Sequence, residues 1–196
     1  MVRRGVRGIA VLAIGAAGWS SGAASQECPA SVPHVPPGWA VTAPQAADLG
    51  RLTLALSLRC SDCAPALTAR VGTAPATAST RAGPSGGAWA EHGAGSPTIR
   101  AGMLDGMLAD MRRRTPQCTA QGEVDGVTTV GAASFITIGT WNRCAPAGNE
   151  LGELTFAGFD GRCLNAVAIG WKGSPRLTPE ARSRVDELLS GLRFGE

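Results

Sequence analysis

Leu52 to Leu58, LTLALSL, is the most regular alternation in the chain: four leucines face one way, and Thr53, Ala55 and Ser57 the other. A two-residue period over seven positions predicts a half-buried strand. LTARVGT (Leu67 to Thr73) reads as its return partner, and Asp62 and Pro65 between them supply turn chemistry. Ile99, Met103, Met107 and Met111 recur every four residues, joined by Leu104 and Leu108, which predicts an amphipathic helix. Ser96 is its N-cap and Pro97 its first position, Arg112 to Arg114 suit its C-terminal end, and Thr115-Pro116 stops it.

Beyond Cys118 the period returns to that of strands. VTTVGAASFITIGTW, ELTFAGF and RCLNAVAIGW form a meander, with APAGNELG as a turn and Asp125-Gly126 and Asp160-Gly161 as hairpin signals. Thr178 caps a closing helix that Pro179 opens; Ala181, Val185, Leu188, Leu189 and Leu192 are its core stripe. The proline-punctuated Cys28–Pro44 stretch stays extended and enters the domain as an edge strand near Trp39 to Thr42.

Two segments stand apart. Residues 1–25 carry Arg3, Arg4 and Arg7, then an apolar run from Gly8 to Gly18, then small residues, the layout of a cleavable export signal. The run is too short for a good membrane span. Residues 26–37 are a Pro-rich lead-in, and 38–196 a single α+β domain. Within it, 21 of the 25 residues from Gly72 to Ser96 are Gly, Ala, Ser, Thr or Pro, which predicts a long mobile loop.

Removing residues 1–25 takes away three arginines and no acid, leaving 15 basic against 15 acidic side chains. A balanced domain gives no electrostatic support for a nucleic-acid or anionic-membrane role. Cys28, Cys60, Cys63, Cys118, Cys144 and Cys163 all lie in the part that remains. An even count in an exported chain predicts a disulfide framework whose connectivity stays open among 15 pairings.

The order of elements is a PPGW lead-in, a hairpin, a helix, a strand meander and a closing helix ending LLSGLRF. This order resembles the PsbP-like family over about Pro36 to Phe194, carried by Gly38-Trp39, the helix at Ser96 to Arg114 and the terminal helix with its GLRF end. The resemblance implies an α/β/α sandwich around a central antiparallel sheet, with accessory or binding roles and no catalytic residues to carry over. The six cysteines and the long loop depart from it.

Three groups are candidates for chemistry. Cys60-Ser-Asp-Cys63 has redox spacing, but a redox thiolate needs a helix N-terminus to lower its pKa, and here a β-type run follows while Asp62 opposes ionisation. The expectation is a structural cystine; a thiol–disulfide oxidoreductase is the alternative. Met103, Met107 and Met111 are soft ligands suited to Cu(I), and His92 stands eleven positions before Met103, an opening that resembles that of periplasmic copper chaperones. The second half of that motif is absent, so methionines filling the core is the expectation and a small copper carrier a second alternative. His34 and His92 are the only histidines, too few for a three-histidine metal site.

Glu150 and Glu153 read as solubility residues of a hairpin. Trp89 and His92 in the biased stretch are candidate partner contacts, with Trp89 packing back over the sheet as the other possibility. No serine-nucleophile, phosphate-loop or haem-attachment motif occurs, and no cofactor or metal is expected. The functional expectation is a periplasmic or secreted, non-catalytic binding or accessory protein. Its partner is a protein or a small envelope ligand, and no membrane span remains after signal cleavage.

Overall fold

The computed structural model describes residues 28–43, 52–75, 96–130, 133–145 and 150–195. Residues 1–25, read as an export signal, Trp89, His92 and most of the biased stretch lie outside them. Among the described residues nine strands and two helices follow in chain order: β1 (Ala30–Ser31), β2 (Trp39–Thr42), β3 (Thr53–Cys60), β4 (Leu67–Pro75), α1 (Pro97–Arg114), β5 (Cys118–Val130), β6 (Ala133–Cys144), β7 (Leu151–Phe159), β8 (Cys163–Lys172), α2 (Pro179–Gly191) and β9 (Arg193–Phe194). Seven strands form one sheet in the order β2-β3-β4-β8-β7-β6-β5, with every pairing antiparallel.

Alternation along the strands gives each sheet face its own layer. On β6, Phe135 joins the large core beside α2, whereas Ile136 and Ile138 point to the other face and meet α1. The α2 layer is deep: Leu58, Leu67, Val71, Phe156, Val167 and Ile169 from the sheet are closed over by Val185, Leu188 and Leu192. Each such side chain stabilises the fold by about 1.5–3 kcal/mol. The α1 layer is thinner, with Ile99, Met103, Leu104 and Met107 on Ile136, Ile138 and Val124. This is the expected α+β arrangement, an antiparallel sheet between two helices.

Both helices begin as their sequences predict. Ser96 Oγ accepts from the Ile99 N–H, and Thr178 Oγ1 from the Ala181 N–H. The far end of α1 is fastened to the sheet by a buried polar chain. Asn142 Nδ2 donates to Thr115 Oγ1 at 2.9 Å, and Thr115 Oγ1 donates to the Met111 carbonyl. Asn142 Oδ1 accepts from Leu151 N–H.

Three expectations change. The N-terminal segment set apart by its prolines is built into the domain from Cys28 onward: β1 pairs with β9, Val32 and Val35 pack on the core, and Cys28 bonds Cys163. Gly72 to Pro75, grouped with the loop by composition, continue β4 and pair with Ala166 to Cys163. Asp125-Gly126 is no hairpin turn. It is a bulge inside β5, with Gly126 at φ +126, and the strand runs on until Val130 pairs with Ala133. Asp160-Gly161 does turn, with Gly161 at φ +89.

At that turn Asp160 Oδ1 accepts from the N–H groups of Cys163 (2.6 Å) and Arg162 (2.9 Å), and Oδ2 from Asn165 Nδ2. Burial pushes the carboxyl pKa up, but these hydrogen bonds outweigh it and hold the group below its ordinary value. Its contribution is therefore complete above the usual carboxylate range and disappears as the pH falls through the lowered folded-state value. Asp160→Ala is expected to cost about 1 kcal/mol at neutral pH, a figure that allows for the exposed position. Urea unfolding should show the gap from wild type closing in acid. Gly152 gives a second test, because a methyl there would run into the Trp171 ring. Gly152→Ala is expected to cost about 2 kcal/mol or more, read as a lowered melting temperature.

Candidate functional site

All six cysteines are paired: Cys28–Cys163, Cys60–Cys63 and Cys118–Cys144. On the chain-entropy model the first, which spans 135 positions, contributes roughly 5 kcal/mol. The third staples the paired ends of β5 and β6. The second sits at the hairpin tip between β3 and β4. Cys60 ends β3 and is fully buried, residues 61–66 form the turn, and no helix begins there.

That tip is held from several sides. Trp39 lies opposite Cys60 on β2, and its Nε1 donates to the Arg184 carbonyl of α2. Thr178 Oγ1 donates to the Ala64 carbonyl. Asp62 Oδ1 lies 3.2 Å from Cys60 Sγ, above Gly38, where a side chain would collide with the carboxylate. Cys60, Asp62 and Cys63 also form the one close grouping of metal-type ligands among the described residues, but its two sulfurs are joined. A buried first sulfur, an adjacent carboxylate and the lack of a helix terminus are the features of a staple.

The methionine row divides. Met111 is buried, while Met103 and Met107 pack on Ile136, Ile138 and Val124 along one flank. Their other flank opens into a large groove among the described residues, which the sequence does not reveal. It runs along the α1 side of the sheet, between the helix and strands β7 and β8. Its floor is Thr155, Ala157, Ala166 and Ala168, and its helical wall carries Gly102 and Gly106. This half has a volume of about 710 Å³. It continues into a polar half of about 520 Å³ around Arg59, Thr68, Arg70, Arg114, Glu153 and Lys172.

The register builds the polar half. Arg59 lies opposite Thr68, Thr68 opposite Gly170, and Gly170 opposite Glu153, in one row across four strands. Arg70 stands one step further along that face of β4. Glu153, expected as a solubility residue, is instead only 15% exposed and sits between Arg70 Nη2 at 3.2 Å and Arg114 Nη1 at 3.6 Å. Arg114 reaches it from the end of α1 that Asn142 and Thr115 fasten down, and also pairs with Asp110.

A smaller cleft of about 170 Å³ lies on the α2 face, with Trp141 and Trp171 in its wall. Its polar groups satisfy one another. Arg176 lies over the Trp141 ring at 5.0 Å and pairs with Glu123, Arg182 pairs with Asp125, and Trp141 Nε1 donates to Gln121. His34 is exposed in the segment before β2. Among the described residues no helix is long and apolar enough to cross a membrane.

Comparison with known proteins adds little. No family model matches the chain, and no curated protein does. Among solved structures it is similar to cyanobacterial PsbP (CyanoP) from Synechocystis sp. PCC 6803, known from a solution structure. The identity is 10% and the TM-score 0.49, over 93% of this chain and 99% of that one. Values that low bear on neither residues nor activity, and the α+β assignment stands on the strands and helices themselves.

The hairpin tip generates one test. Alkylation of the native protein without reductant should add no mass, and mild glutathione should leave Cys60 and Cys63 unlabelled. Labelling of both, at an oxidising potential, would make the tip a redox pair.

Proposed function

We propose that the protein is an exported, non-catalytic binding or accessory protein that holds its ligand in the groove beside α1. The groove is the observation that carries this reading. A helix wall with two glycines faces a floor of small side chains, and a Cβ on Gly102 or Gly106 would meet nothing within 4 Å. Glycine inside a helix costs about 1 kcal/mol relative to alanine, and no close packing at these positions offsets it. Space for an occupant accounts for both residues.

Export is supported by the basic, apolar and small-residue layout of residues 1–25 and by the pairing of every cysteine, which suits an oxidising compartment. A small envelope ligand fits the groove better than a flat protein partner, because the space is concave and lies in the usual range for ligand pockets.

The test fills the groove from the helix side. Gly102→Leu and Gly106→Leu each favour the helix, so the melting temperature should hold or rise. The neutral dye Nile red should bind the wild-type protein with a blue-shifted emission. It should lose at least roughly tenfold in affinity to either variant, the effect of blocking a pocket of this size. Equal dye binding by wild type and both variants would remove the groove as the site.

A further inference from the structure

Resting on that reading, we propose that the ligand is an anionic amphiphile. Its carboxylate or phosphate head lies at the Arg59, Arg70, Arg114 and Lys172 end, and an unbranched hydrocarbon chain lies along the alanine floor. The charge of the lining favours an anionic head. Arg59, Arg70, Arg113, Arg114 and Lys172 line the two halves against only Asp110 and Glu153, an excess of three positive charges. The chain beyond residue 25 is balanced overall, so this excess is local. Asp110 and Glu153 are already shared among Arg70, Arg113 and Arg114, while Arg59 and Lys172 have no ion-pair partner among the described residues.

The floor favours a hydrocarbon chain. β4, β8 and β7 are each paired on both sides, so their backbone offers no free donor or acceptor to an occupant. Thr155 Oγ1 already donates to Glu153. A peptide laid there would bury its own amides unpaired, which is costly; a hydrocarbon chain has none to satisfy. Ala157, Ala166, Ala168, Met103 and Met107 offer it only carbon and thioether surface.

The shape of the groove suits an extended molecule. Lys172 and Ala166 lie six positions apart on one strand, roughly 20 Å at the usual rise. The groove is therefore long, cationic at one end and mostly apolar at the other. That polarity matches a molecule with one charged end better than a compact anion or a neutral lipid.

The experiment uses the full-length oxidised protein and calorimetric titration below micelle formation. Octanoate, decanoate and dodecanoate should bind one per chain, tightening roughly tenfold with each two added carbons. Dodecyl phosphate should bind as well, and the stronger of the two twelve-carbon ligands identifies the natural head. Dodecanol should be at least roughly tenfold weaker, the loss of one charge-assisted contact set, and dodecyltrimethylammonium should not bind. The exposed double substitution Arg59→Ala/Lys172→Ala should weaken dodecanoate by roughly tenfold and leave dodecanol unchanged.

Equal binding of dodecanol and dodecanoate, a flat chain-length series, or inorganic phosphate binding as tightly as dodecyl phosphate would overturn the proposal. If Nile red still discriminates wild type from the leucine variants, only the ligand class falls. If it does not, the groove falls with it.

Discussion

A sheet of seven strands has two faces to hide, and this chain covers them with helices of unequal reach. The α2 face is closed over most of its area: residues from β2 to β8 pack around Val185, Leu188 and Leu192, and Phe194 of β9 adds its ring to Phe135. Among the described residues the α1 face is covered less, because α1 packs chiefly on β5 and β6. Side chains on the strands beyond it are then chosen to tolerate water or an occupant. They are small at Ala157, Ala166 and Ala168 and charged at Arg70 and Glu153. The groove is the direct result of this uneven cover.

What keeps that geometry is polar rather than apolar. The Asn142–Thr115–Met111 chain fixes the end of α1 to β6 and so sets where Arg114 can reach. Glu153 then holds Arg114 and Arg70 side by side. Two guanidinium groups close to one half-buried carboxylate are pre-positioned without full neutralisation, which favours a second anion at that end. The cystines act elsewhere, tying the N-terminal segment, the hairpin tip and the far edge of the sheet, and leave the groove free of covalent constraint.

The elements were largely legible because their signals are local. Ser96-Pro97 and Thr178-Pro179 cap real helices, and the LTLALSL alternation is a real strand, though its register slips between Leu54 and Leu56. Local signals fail where a partner strand decides. Asp125-Gly126 and Asp160-Gly161 are the same dipeptide, yet one bulges within a continuous ladder and the other turns. Composition likewise misplaced Gly72 to Pro75, whose pairing with β8 is invisible along the chain. The groove was illegible for the same reason. Arg59, Arg70, Arg114, Glu153 and Lys172 come from five elements, and nothing in their spacing marks them as neighbours. Glu153 next to a hairpin looks like a solvated carboxylate until the register places two arginines against it.

The tie between Cys28 and Cys163 also has a mechanical side. Tension applied through the backbone on either side of the described domain enters at Cys28, crosses the sulfur bridge and passes directly into β8. Everything between those two cysteines, including the hairpin, α1 and the strands β5, β6 and β7, lies outside the load path. Only β8, α2 and the short β9 remain in series with the force. A pulled molecule would therefore shed its closing helix first, while α1 and β7 stay inside an unloaded covalent loop and the groove meets the force only along its β8 floor.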